Sequence, residues 1–212
     1  MKTKLVVTLL LLCAIPAFSQ NRLSPEMGRS SIEYYKQIDN LLLGEEGSRF
    51  ILQVRPSFDP ECCLYFSDET KELVLREAEK NIWYAKGQGG TVKEYRYSIP
   101  VSYIEKIDSL FMAAVFSSSF MCSSHGYDGT TYELRTFGGR YVASCNPSKN
   151  EDSNCGRLAV VLNRLCELVK VGDDKCIEGL MPAIDTLTNV FYELLPDDES
   201  IMNPETGFVF EK

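Results

Sequence analysis

Hydrophobic positions along this chain follow two periods, one near 3.6 residues and one of 2. The first helical stretch is SSIEYYKQIDNLLL, residues 30–43. Tyr34, Tyr35, Ile38, Leu41 and Leu42 recur at helical spacing, Ser30 and Glu33 make a capping box, and Gly44 supplies a stop. The strongest helical signal is IPVSYIEKIDSLFMAAVFSSS. Tyr103, Ile104, Ile107, Leu110, Phe111 and Ala114 form one stripe, Ser102 and Glu105 a second capping box, and the serines at 117–119 an end. Two more helices fill the C-terminal third. DSNCGRLAVVLNRLCELVKVG has a cap at Ser153 or Asn154, a stripe of Leu158, Val161, Leu162, Leu165 and Val169, and Gly172 as its stop. DDKCIEGLMPAIDTLTNVFYELL follows, with Pro182 near its first turn or at a kink.

Between these helices the period falls to 2. In RFILQVRPSF, Phe50, Leu52 and Val54 share one face, with Ile51, Gln53 and Arg55 on the other; Pro56 and Asp59-Pro60 mark a turn. CCLYF, ELVLREAEKNIWYA and TVKEYRYSI read as strands. The composition of the middle one also allows a helix, but Val74, Ile82, Trp83 and Tyr84 favour one long strand, and GQGG at 87–90 joins it to the next. TTYELRTFGGRYVASCNP is a hairpin about Gly138-Gly139, whose turn asks for positive φ. Its register sets Thr136 against Tyr141, Leu134 against Ala143 and Tyr132 against Cys145, all on the core face. Glu133, Arg135, Phe137, Val142 and Ser144 fall on the other face. The expected fold is α+β: an antiparallel sheet of about five strands packed by one central helix and C-terminal helices. Parallel βαβ units and glycine-rich nucleotide loops are missing from the pattern.

The ends of the chain divide it further. MKTKLVVTLLLLCAIPAFSQ has basic Lys2 and Lys4, an apolar run from Leu5 to Ile15, the breaker Pro16, and small residues at Ala17 and Ser19. That is the layout of a secretory signal, too short for a spanning helix, which needs about 20 residues. Cys13 raises lipid attachment as an alternative. The large Leu12 before it favours cleavage near Ser19. The expected division is a signal peptide at 1–19, a single α+β domain with a helical C-terminal part at 20–196, opening on a polar leader at 20–29, and a tail at 197–212. The expected location is periplasmic or extracellular.

Charge and cysteines narrow the partners. The formal net charge is −8, or −10 without Lys2 and Lys4. This acidity disfavours nucleic acid and anionic membranes, which are bound through lysine and arginine. Of eight cysteines, Cys13 leaves with the signal. The remaining seven enter an oxidising compartment, where disulfides are expected, and an odd number leaves at least one unpaired within the chain. Cys145 and Cys155 flank the turn-rich NPSKNEDSN and are the disulfide candidates. With one histidine and no C-x-x-C pair, a structural zinc site has little to build on.

Candidate chemistry concentrates in SSHGYDGTTYEL, residues 123–134. Cys122, the sole histidine His125 and Asp128 have the residue types of a nucleophile, base and orienter. The bland reading is better supported: Gly126, Asp128 and Gly129 are turn formers linking a helix to a hairpin. Vicinal Cys62 and Cys63 suggest thiol redox chemistry, against which stands the strain of a ring between adjacent residues. Asp173-Asp174 and Asp197-Asp198-Glu199 lack a calcium-loop pattern and read as helix-start charge and solvated tail. Trp83 and Tyr84 are able to stack on a sugar or base, but a sole tryptophan in a strand is more often core.

The order of helix, Gly126-Tyr127-Asp128-Gly129-Thr130-Thr131-Tyr132, strand, glycine turn, strand and Cys145-Asn146-Pro147 resembles small exported proteins of Gram-negative bacteria. In these a Gly-x-Asp-Gly-x-x-Tyr segment precedes a strand pair closed by Asn/Ser-Pro. The resemblance spans residues 50–165, including Asn81–Tyr84 and Leu110-Phe111, and implies no activity. The extra cysteines and long helical C-terminus depart from it. The resulting expectation is an exported, non-enzymatic protein that binds another protein or a small ligand, with no cofactor or metal. The alternative is a thiol-dependent enzyme or redox protein using Cys122 and His125, or Cys62 and Cys63.

Overall fold

The computed structural model describes residues 21–25, 32–43, 48–85, 90–119, 129–148 and 152–195. Seven strands lie among them: β1 (Ser24–Pro25), β2 (Phe50–Pro56), β3 (Cys62–Ser67), β4 (Glu72–Ala78), β5 (Val92–Ser98), β6 (Thr130–Thr136) and β7 (Tyr141–Cys145). The five helices are α1 (Glu33–Leu42), α2 (Ile82–Ala85), α3 (Val101–Phe116), α4 (Asn154–Val171) and α5 (Asp174–Tyr192). The strands form one sheet of order β1-β7-β6-β2-β3-β4-β5, antiparallel at every step. The protein is therefore α+β with an antiparallel sheet, of seven strands rather than about five.

Period-2 alternation sorts the strands onto two helical layers. Phe50, Leu52 and Val54 face the main core with α3, α4 and α5, while Ile51 joins a second cluster beneath α1 and α2. The β6–β7 register is the expected one, with Thr136 opposite Tyr141, Leu134 opposite Ala143 and Tyr132 opposite Cys145. Gly138 and Gly139 take φ of 66° and 84° in its turn, preceded by Phe137, itself at 52°. Ser153 caps α4 by accepting from the Gly156 N–H at 3.0 Å, and Gly172 ends it at φ 71°. At the outer edge, β5 turns Lys93, Glu94 and Arg96 to solvent, charges that discourage edge-to-edge pairing.

Several expectations fail, each for a local reason. Part of the polar leader belongs to the sheet. Leu23 is fully buried, its carbonyl accepts from the Ser119 N–H at 2.8 Å, and Ser24–Pro25 pairs with β7 as a two-residue strand. The long strand at 72–85 stops at Ala78. Asn81 starts a helical turn instead, its Oδ1 accepting from the Tyr84 N–H at 3.2 Å and its carbonyl from the Ala85 N–H at 3.1 Å. This cap outweighs the weak extended preference of Ile-Trp-Tyr. The capping box at Ser102 and Glu105 is not used as drawn: α3 begins after Pro100 without a side-chain cap; α1 begins after Ile32, itself without one, and Ser30 lies outside the described residues. Proline's fixed φ suits the start of α3, which lies ahead of Ser102. Of the two places expected for Pro182, the first turn of α5 is excluded: it sits midway along that helix. No helix among the described residues is long and apolar enough to cross a membrane.

Candidate functional site

The chemistry-bearing hollow of this fold lies where β2 leaves the sheet and β6 enters it. Arg55 pairs with Thr131 in the ladder, and the chain then runs through Pro56, Ser57 and Phe58. From above, α1 contributes Tyr34 and Tyr35. From the side, the β4–α2 corner contributes Asn81, Trp83 and Tyr84. Together they line a cavity of about 360 Å³. Its rim is aromatic and wet: Phe58 is 71% exposed, Trp83 61% and Tyr84 60%.

The floor is charged and buried. Arg55 Nη1 donates to Glu133 Oε2 at 2.9 Å, and its guanidinium stacks on the Tyr35 ring at 4.5 Å. Glu133 Oε1 accepts from Arg135 Nε at 2.8 Å. Asp39 Oδ1, on α1, accepts from Arg135 Nη2 at 2.6 Å and from Gln53 Nε2 at 2.7 Å. Two guanidinium groups and two carboxylates thus tie α1 to β2 and β6. Burial on this scale is tolerated only because every charge meets its opposite with a hydrogen bond.

A second carboxylate system holds the tryptophan. Glu61 is fully buried. Its Oε2 accepts from the Ile82 N–H and its Oε1 from the Tyr34 hydroxyl, each at 2.7 Å. Burial, followed by the hydrogen bond to Glu61, raises the Tyr34 hydroxyl well above the usual tyrosine range, so it remains a neutral donor. The Tyr34 ring meets Trp83 edge to face, centroids 5.1 Å apart at 89°. Glu61 therefore fixes both the backbone that carries Trp83 and the ring that orients it. A roomier hollow of about 530 Å³ beside the β6–β7 turn includes Arg49 and Arg140, but both are exposed at the surface.

Trp83 corrects the core reading made from the sequence. The strand assignment placed it on a buried pleat, whereas the helical turn swings it to the rim. The discernible signal was Asn81, a good cap, following the polar Glu79-Lys80. Cys122, His125 and Asp128 lie outside the described residues, as do Asp197, Asp198 and Glu199. The described end of that segment borders the hollow. Gly129 exchanges hydrogen bonds with Ser57, its N–H donating to Ser57 Oγ at 3.0 Å and its carbonyl accepting from the Ser57 N–H at 2.9 Å. Its φ of 138° is a glycine conformation, and a Cβ there would stand 2.6 Å from Asn146 Oδ1.

The thiols singled out from the sequence fall in different places among the described residues. Cys62 and Cys63 are neighbours on one strand and point to opposite faces. Cys62 packs half-buried on the main core, and Cys63 is buried in the cluster under α1, where burial pushes its thiol up to about 12. Cys145 and Cys155 are both buried in the main core as thiols, and no disulfide joins them in this structure. Cys176 is exposed, and its Sγ lies 3.3 Å from Asp173 Oδ2. Asp173 caps α5, accepting from the Lys175 N–H at 3.0 Å. Among the described residues no cluster of three metal-ligating side chains occurs. No protein-family model, curated protein or solved structure matches the chain.

Proposed function

We propose that this is a non-enzymatic binding protein, exported to the periplasm or the extracellular space, whose ligand occupies the hollow between α1, α2 and the end of β2. The observation that carries the reading is the trio of exposed rings, Phe58, Trp83 and Tyr84, around a pre-formed cavity. Leaving three large aromatics in water forgoes their burial, and such clusters on a soluble surface mark binding sites. The hollow suits a small ligand with a flat apolar face and a polar edge. A saccharide ring has that form: its C–H face stacks on indole while its hydroxyls meet Ser57, Asn81 and Thr131 at the wall. Buried Arg55 and Glu133 neutralise one another, so the floor selects neither strong anions nor strong cations. Export is supported by the signal-like pattern of residues 1–19.

Trp83 is the sole tryptophan, so its fluorescence reads the site directly. Titration with a panel of neutral, amino and acidic mono- and oligosaccharides should give a saturable change in emission for one chemical class. A Trp83 spectrum and a melting temperature indifferent to the whole panel would overturn the saccharide assignment.

A further inference from the structure

Five residues form one row across the sheet. Cys145, Tyr132, Val54, Cys62 and Glu77 are successive cross-strand partners from β7 through β6, β2 and β3 to β4. Helix α4 lies along that row and is anchored to it twice. Asn163 Nδ2 donates to the Tyr132 hydroxyl oxygen at 2.7 Å, and Lys170 Nζ donates to Glu77 Oε1 at 2.8 Å. Cys166 sits between the two anchors, about one helical turn from each and on the same buried face as Leu162, Leu165 and Val169. On the sheet, the positions between Tyr132 and Glu77 belong to Val54 and Cys62. The two anchors therefore set Cys166 down beside Cys62, which packs half-buried against the core that contains Cys166. A hydrogen bond with Cys62, then burial, holds the Cys166 thiol well above the ordinary cysteine value, as adjacency of the two sulfurs requires.

We propose that Cys62 and Cys166 are the site of an intramolecular disulfide that pins α4 to β3 when the protein meets an oxidising thiol–disulfide couple. The chemistry balances with glutathione disulfide as the oxidant. Cys62, the more accessible sulfur, attacks as thiolate, the glutathione S–S bond breaks, and one glutathione thiolate leaves. Cys166 then loses its proton, and its sulfur attacks Cys62 Sγ and expels the second glutathione. The two cysteines give up two protons and two electrons, and the oxidant departs as two thiols. Among the described residues the other thiols are worse placed for Cys62: Cys63 faces the opposite side of the sheet, Cys145 stands at the far end of the row, Cys155 lies about three helical turns before Cys166 at the start of α4, and Cys176 lies at the exposed start of α5.

The test is peptide mapping of the full chain after it has been reduced, unfolded and refolded in a glutathione redox buffer, a route that exposes every thiol to oxidant. The expected result is a peptide pair joining Cys62 to Cys166 that persists after free thiols are blocked by alkylation and is released by dithiothreitol. Because these residues are separated by about half the chain, oxidation should also raise the melting temperature by roughly 5–10 °C. Comparing oxidised with reduced forms of each variant, that rise should vanish in Cys62→Ser and in Cys166→Ala alike, whatever either change costs on its own. Recovery of both cysteines as alkylated thiols overturns the proposal. So does Cys166 joined to Cys145, or a glutathione adduct on Cys62 that Cys166 does not displace.

Discussion

The two faces of the sheet are buried alike but specified differently. Toward α3, α4 and α5 the central strands present Phe50, Leu52, Val54, Leu64, Leu75 and Leu134 to one apolar core. Toward α1 and α2 the same strands present Gln53, Arg55, Glu133 and Arg135 among Ile51, Tyr65 and Val74. Apolar burial is non-directional, so the first face depends on volume and shape. The second depends on particular partners in particular places, since a buried charge without its counterpart is costly. The aromatic hollow is built on the second face. Its floor inherits from the charge network a fixed position for α1, and hence for Tyr34 and Tyr35.

The contrast is broken most severely at Glu133, which bridges Arg55 and Arg135. Glu133→Ala removes the carboxylate shared by two buried guanidinium groups and should cost about 3–5 kcal/mol. Its chain neighbour Leu134 points to the apolar face, where truncation to alanine costs about 2–5 kcal/mol through lost burial and a cavity. Denaturant unfolding of both variants compares the two faces at adjacent positions. Tyrosine and tryptophan fluorescence of the folded state separates them further: only Glu133→Ala should disturb Trp83. A Glu133→Ala variant as stable as the parent would refute the claim that this face is specified by charge.

At the rim, the backbone itself is the constraint. Gly129→Val forces a β-branched residue into φ of 138° and drives a Cβ toward Asn146 Oδ1. The expected loss is about 1–3 kcal/mol in a thermal melt. A tolerated valine would mean that the turn into β6 relaxes freely.

Much of the fold was readable because period and register are local properties. The β6–β7 pairing, the alternation of β2, the α4 stripe and both ends of α4 follow from neighbours within a few residues. What escaped the sequence depends on distant partners. Ser24–Pro25 becomes a strand only because β7 offers an edge, and no residue near Leu23 announces that. Trp83 becomes exposed because Asn81 and Glu61 together hold a helical turn, and Glu61 lies twenty-one residues before the N–H it accepts. The charge network was visible only as alternation: Arg55, Glu133 and Arg135 were assigned to the face opposite the core, but nothing in the spacing said that α1 would cover it. The site is therefore the least legible part, being assembled from five separate segments.

Glu61 tests how far that assembly is specified. Glu61→Gln keeps the volume and one acceptor oxygen but turns an N–H donor toward either the Ile82 N–H or the Tyr34 hydroxyl. The loss of a charged acceptor for two hydrogen bonds should cost about 1–3 kcal/mol. The more telling readout is the Trp83 emission, which should shift toward that of free indole as the α2 turn loosens. If stability falls while the emission is unmoved, Glu61 anchors Tyr34 alone and the turn is held by Asn81.

The smallest stability effect should come from the residue that matters most for binding. Trp83 is 61% exposed, and among the described residues its ring contact is the edge-to-face meeting with Tyr34. Such a contact is worth about 0.5–1.5 kcal/mol, and the exposed area adds little. Trp83→Ala should accordingly cost about 0.5–1.5 kcal/mol, well below Glu133→Ala. A binding platform predicts that the same substitution weakens saccharide affinity at least tenfold, measured by calorimetry because the fluorophore is gone, with Trp83→Phe recovering part of the loss through its remaining ring face. A structural tryptophan predicts the reverse pattern, a large fall in stability and an affinity that tracks the folded fraction. The two outcomes differ in sign at a single position. Trp83→Ala therefore decides whether the charged face of the sheet exists to hold a ligand or only to hold α1.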